Sequence, residues 1–189
     1  MFIQTEETPN PNALKFLTNS KILSDNQNIT YTKDGNLSTS PKFIQDIFAI
    51  NAVKNITAFP DFLTVLIEDE AKWQTIRPEI IHILIEHGSN GKLQIATQSN
   101  ENEEKPEANF EGIEKEIHDL IEERVRPAVE MDGGDIEFVK FEAETGIVYV
   151  RMKGSCSGCP SSSATLKDGI KRMLEYYVPE VTDVLPVEE

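Results

Sequence analysis

The sequence predicts an α+β protein: two small domains of mixed helix and strand, joined by a flexible linker, the second ordered αββαβ. Three observations carry that expectation. Residues Thr97 to Ala108 contain no large apolar side chain and no hydrophobic period, the composition of a solvated linker. On either side, segments with apolar residues at helical spacing alternate with segments of period two. After the linker those segments run helix, strand, strand, helix, strand. The expected organisation is a first domain at 1–90, a polar linker at 91–109 and a second domain at 110–189. A flexible linker of about 20 residues spans roughly 25 Å, enough for one domain to reorient against the other.

In the first domain, Ala13 to Leu17 and Thr64 to Ile67 read as strands. Pro41 opens a short helix that carries Phe43, Ile44, Ile47 and Phe48 on one face; proline is favourable at the first helical position. Val53 to Phe59 suits another strand, and Pro60-Asp61 a turn into the next. A longer helix follows from Ala71 to Glu86, with Ile76, Ile80, Ile83 and Leu84 at helical spacing and Gly88 as its stop. Pro78 marks an irregularity near its start. Phe59, Phe62 and Trp73 read as core residues, the alternative being an exposed patch for a partner. The domain offers no catalytic constellation.

In the second domain, Ile113, Ile117, Leu120, Ile121 and Val125 lie one or two turns apart and define an amphipathic helix. Pro127 should kink it or end its regular bonding. Asp132-Gly133-Gly134-Asp135 reads as a turn; its aspartates could also hold a metal or touch a partner. Ile136, Phe138 and Phe141 mark a strand whose pattern is imperfect near its end. Thr145-Gly146 reverses the chain, and Val148, Val150 and Met152 alternate with Tyr149, Arg151 and Lys153 in a half-buried strand. Pro160 starts a helix with Leu166, Ile170, Met173, Leu174 and Tyr177 on its apolar face. Val181 to Val187 supplies the last strand.

Composition narrows the function. The chain has 189 residues, 39% of them hydrophobic and 27% charged, which suits ordinary cores in a soluble protein. Its apolar runs, such as Phe62 to Ile67, fall far short of the roughly 20 residues that span a bilayer, so no membrane partner is expected. The formal net charge is −15, and neither half is basic: residues 1–88 carry 11 acids and 7 bases, residues 110–189 carry 18 and 9. A phosphate backbone repels such a surface, which argues against nucleic acid. The N-terminal segment Met1 to Glu7 is acidic where a presequence is basic, so a cytoplasmic protein is expected. The alternative is the mitochondrial matrix, if a presequence has been removed.

Cys156-Ser157-Gly158-Cys159 holds the only two cysteines. Two thiolates three positions apart are half of a four-thiolate site for zinc or a cubane cluster. Either the pair works alone in redox chemistry, or two chains pool their pairs. The loop lies between a strand end and a helix start. Gly154 and Gly158 allow close backbone approach. The first turn of the helix aims free amides and partial positive charge at the loop, which favours thiolate and stabilises an anionic group. Ser155, Ser157, Ser161, Ser162 and Ser163 could donate to sulfur or serve as caps. A thioredoxin-like enzyme is disfavoured. Ser155 precedes the motif in place of an aromatic, only 30 residues follow Cys159, and no βαβ crossover precedes it. His82, His87 and His118 lie outside the half-motif and read as surface or helix-face residues.

Met131-Asp132-Gly133-Gly134-Asp135-Ile136 followed by Gly154-Ser155-Cys156-Ser157-Gly158-Cys159-Pro160-Ser161-Ser162 resembles the C-terminal domain of NifU, shared by the Nfu iron–sulfur carriers. Thr8-Pro9-Asn10-Pro11-Asn12-Ala13-Leu14-Lys15-Phe16 resembles the start of the Nfu N-terminal domain. The resemblance implies assembly or transfer of a [4Fe–4S] cluster held between two subunits, with Cys156 and Cys159 of each as ligands. The cysteine-rich scaffold and ferredoxin-like domains of full-length NifU are absent, which favours carriage over assembly. The expected protein is thus a non-enzymatic carrier, a homodimer when loaded, with an upstream cluster donor and apo iron–sulfur proteins as partners. The first domain is assigned partner recognition. The rival readings are a thiol–disulfide oxidoreductase using the same two cysteines and a zinc-bridged structural dimer.

Overall fold

The computed structural model describes residues 2–23, 28–35, 37–91, 93–95, 110–157 and 160–187, for 160–165 the backbone alone. The expected linker, 91–109, lies outside them from 96 on; before that, Leu93 and Ile95 are buried in the core of the first unit, and Ile95 bridges to Leu23, so the first unit runs further than 90. The chain divides into two compact units, Met1–Gln98 and Ser99–Glu189, each with a core of its own.

The first unit is a five-stranded antiparallel sheet with two helices. Its strands are β1 (Ile3–Glu7), β2 (Ala13–Thr18), β3 (Ile29–Thr32), β4 (Val53–Ala58) and β5 (Phe62–Ile67), in the order β1-β2-β5-β4-β3. Helix α1 (Lys42–Phe48) packs on α2 (Trp73–Ser89) and on β4. The expected apolar face of α1 holds: Phe43, Ile44, Ile47 and Phe48 are all buried. On α2, Ile76, Ile80 and Leu84 are buried, whereas Ile83 is only partly so.

Three details differ from the sequence reading. β1 and β3 were not expected. Both are edge strands, short and rich in polar residues, and edge strands carry little of the apolar alternation that reveals a central one. The long helix begins later than Ala71, because Glu70–Lys72 forms a 3₁₀ turn whose Ala71 N–H donates to Asp69 Oδ1 at 3.0 Å. It also ends later than Gly88: the turn that leaves the helix needs a left-handed residue, and Gly91 supplies it at φ 67°.

The second unit has the expected order αββαβ. Its first helix is built from α3 (Ile113–Leu120), a π-helical turn (Ile121–Val125) and α4 (Arg126–Met131). Pro127 explains the break in bonding. It has no N–H, and its ring would crowd the carbonyl four residues back. The Arg126 N–H therefore reaches Ile121 O, five residues back, and the helix continues where an ordinary register could not.

β6 (Gly134–Glu142) and β7 (Ile147–Gly154) form an antiparallel hairpin. The register slips between Phe138 and Lys140, which accounts for the imperfect alternation there. Helix α5 (Pro160–Tyr177) returns the chain so that β8 (Asp183–Pro186) pairs parallel to β7. That strand is shorter than Val181 to Val187. Ile117, Ile121, Ile136, Val148, Val150 and Leu174 are completely or almost completely buried together. Each contributes about 1.5–3 kcal/mol relative to exposure. Tyr177 is an exception to the expected apolar face: it is 40% exposed, with the Arg124 guanidinium 4.9 Å from its ring centre.

Because this unit closes its own core, a chain of residues 110–189 alone should fold. Its urea unfolding should be a single cooperative transition, and absence of a transition would show that the fold needs residues 1–109.

Candidate functional site

The cysteine loop forms where the β6–β7 ladder ends. Gly134, the first residue of β6, pairs with Gly154, the last of β7. Both neighbouring turns need backbone that side chains resist: Gly133 has φ 79° and Gly154 φ 63°. Beyond Gly154 the chain turns through Ser155, Cys156 and Ser157 and, after two residues, enters α5 at Pro160. The strand–loop–helix placement expected from sequence is therefore present for Cys156. Cys159 and Gly158 lie outside the described residues.

Two hydrogen bonds fix the loop to the upstream turn. The Ser155 N–H donates to Gly133 O at 3.1 Å, and its hydroxyl donates to Asp132 O at 2.8 Å. The Ser157 N–H closes on Gly154 O at 3.2 Å. Ser155 is thus an anchor of the loop. It is 3% exposed, and Cys156, packed in the core of the second unit, is 9% exposed. Ser161, Ser162 and Ser163 have no described side chains. α5 begins at Pro160, and the first turn of such a helix carries free amides and a partial positive charge.

Asp132-Gly133-Gly134-Asp135 is only half a turn. Asp132 and Gly133 reverse the chain; Gly134 and Asp135 already belong to β6. Asp135 is fully buried and receives the Arg126 Nε–H at 3.0 Å. Arg126 also donates from Nη1 to Glu122 Oε2 at 2.6 Å and lies 3.3 Å from Glu130 Oε1. Burial pushes the Asp135 carboxyl above the ordinary aspartate range, and the Arg126 charge pulls it back down. Its second oxygen, Oδ2, is buried and has no hydrogen-bond partner among the described residues. The pair locks the start of α4 to the start of β6, beside the cysteine loop. The sequence reading did not find it. Asp135 stands next to Ile136 at a strand start, and that is the one hint that it faces protein.

The histidines stand apart. His82 is exposed on α2, His87 Nε2 is 2.9 Å from Asp46 Oδ2, and His118 Nδ1 is 3.2 Å from Asp119 Oδ1. Among the described residues, no three His, Cys, Asp or Glu side chains are grouped to hold a metal ion. No helix among them is long and apolar enough to cross a membrane.

Known proteins match both units. Residues 3–91 match the family described as scaffold protein Nfu/NifU N terminal, and residues 117–185 match the NifU-like domain. The "NFU1 iron-sulfur cluster scaffold homolog, mitochondrial" of Drosophila sechellia is 36% identical over 190 residues, covering 97% of this chain and 64% of that one. "NifU-like protein 5, mitochondrial" of Arabidopsis thaliana is 40% identical over 187 residues, covering 97% and 67%. The chain thus spans just under two thirds of the fly relative. Two solved structures are 33% identical. The crystal structure of a Staphylococcus aureus protein covers 44% of this chain and 99% of that one, at a TM-score of 0.40. The solution structure of a NifU-like protein from Saccharomyces cerevisiae covers 49% and 82%, at 0.45.

The ion pair yields a stability prediction. Arg126→Met strands a buried carboxylate and should cost about 3–5 kcal/mol in urea unfolding; adding Asp135→Asn should recover part of it. The pH dependence has a fixed sign. With its pKa raised, folded Asp135 holds a proton where the unfolded chain has lost it. This group's contribution is therefore largest in acid and declines as pH rises through the raised value. The stability difference between wild type and Asp135→Asn should follow that decline, and a difference flat from about pH 3 to pH 7 would contradict it.

Proposed function

The chain belongs to the Nfu/NifU scaffold family, and from that membership we propose that it carries a [4Fe–4S] cluster and hands it to apo iron–sulfur proteins. The observation that carries this reading is Cys156 at a strand–helix junction, its neighbour Ser155 bound to the Asp132–Gly133 turn and α5 beginning at Pro160. Cys159 is the second ligand. A cubane takes four thiolates, and two cysteines per chain supply half of them, so two chains meet at the cluster as a two-fold homodimer. The cluster is cargo. Its thiolate ligands come from two separate chains, so an acceptor's thiolates displace one chain's pair and then the other's. No turnover chemistry is needed, and the protein acts as a carrier.

Residues 1–95 are assigned recognition of the donor or the acceptors, and residues 110–189 the ligands, with 96–109 as the connection. The word mitochondrial in the relatives' names supports the mitochondrial matrix over the cytoplasm expected from the acidic N-terminal segment.

Anaerobically isolated protein should contain about four iron and four acid-labile sulfide per two chains, with broad visible absorption. Cys156→Ala or Cys159→Ala should each lose stable loading. Zinc without sulfide would favour the structural dimer. A reversible Cys156–Cys159 disulfide in metal-free protein, with no iron bound anaerobically, would favour the oxidoreductase.

A further inference from the structure

We infer that Gly134 is a positioning residue for the Cys156 thiol: the side chain it lacks leaves the space in which Sγ sits. A Cβ built on Gly134 would lie 2.3 Å from Cys156 Sγ, 3.1 Å from Ser155 Oγ and 3.2 Å from Val129 Cγ1. Carbon and sulfur cannot share the first of these distances, and packed interiors have no slack to absorb it.

The need for glycine here is steric and local. Gly133 and Gly154 have positive φ and serve the backbone, but Gly134 does not have positive φ. Its strand conformation is one that alanine adopts without strain. What alanine cannot do is leave room for sulfur. The surroundings decide which group yields. Ser155 is held through both its N–H and its hydroxyl by Gly133 and Asp132, so the loop cannot slide away as a unit. Val129 is itself buried in the core. Cys156 has a single side-chain torsion, and turning it carries Sγ away from the added Cβ. The thiol then leaves its buried seat and points elsewhere. The two glycines of the motif thus do different work: Gly133 makes the turn, and Gly134 aims the sulfur.

The consequence for a cluster rests on the carrier reading, but the seat itself is a property of the metal-free chain. The test uses the full-length protein as wild type, Gly134→Ala, Cys156→Ala and the double variant. In reduced, metal-free protein, iodoacetamide labelling is followed at Cys156 by peptide mass spectrometry. Gly134→Ala should label Cys156 at least several-fold faster than wild type. It should also lower the urea midpoint, and most of that loss should vanish when Cys156 is already alanine. Anaerobic cluster loading should fall several-fold. An unchanged labelling rate at Cys156 would overturn the inference, as would a midpoint loss equally large without the thiol. Should Gly134→Ala fail to fold, folding of the double variant would support the clash with sulfur, and failure of both would overturn it. Wild type that never loads a cluster while the labelling and midpoint results hold would defeat the carrier reading and leave the seat intact.

Discussion

The carbonyl groups of Asp132 and Gly133 hold Ser155, and the position of Cys156 follows from that grip. Asp132 and Ser155 are 23 residues apart in sequence. The β6–β7 hairpin brings them together by closing its ladder at Gly134 and Gly154. The loop is therefore attached on two sides, to β7 by the chain and to the upstream turn by hydrogen bonds. Ser155, Cys156 and Ser157 are held in place before anything binds, and a binding segment fixed in advance loses less entropy on binding. The two separated sequence blocks turn out to be one structural unit.

Behind that unit stands the first helix of the domain. Its π-helical turn lets the chain pass Pro127 without ending the helix, so that Arg126 reaches Asp135. Replacing the pair by apolar groups of similar volume need not destabilise the fold, because desolvation offsets much of the attraction in a buried ion pair. Its use here is geometric. It sets where β6 begins, and the first residue of β6 lies under the thiol.

Much of this was legible in the sequence. The second unit's order, the amphipathic helices, the disturbance at Pro127 and the loop at Cys156 all came from periodicity and from proline and glycine chemistry. Both edge strands of the first sheet escaped, because Gln4, Glu6 and Glu7 in one, and Thr30 and Thr32 in the other, mask the pattern of a half-buried strand. Gly88 is as good a helix stop by composition as Gly91, because composition does not tell which nearby glycine takes positive φ. By sequence Asp135 reads as a turn residue, because a carboxylate beside two glycines resembles one, and only three-dimensional proximity to Arg126 shows otherwise. Gly134 looks like a partner of Gly133 for the same reason: its importance lies in a neighbour 22 positions away, and no local rule reports such a contact.

The central claim is that two chains hold one cluster between them. Sedimentation velocity of the reconstituted protein under anaerobic conditions, recorded in the visible absorption of the cluster, tests it most directly. Association coupled to cluster binding predicts that the visible signal sediments with the mass of two chains and that chelation of the iron shifts the protein toward single chains. A [4Fe–4S] signal that sediments with the mass of one chain would contradict the claim.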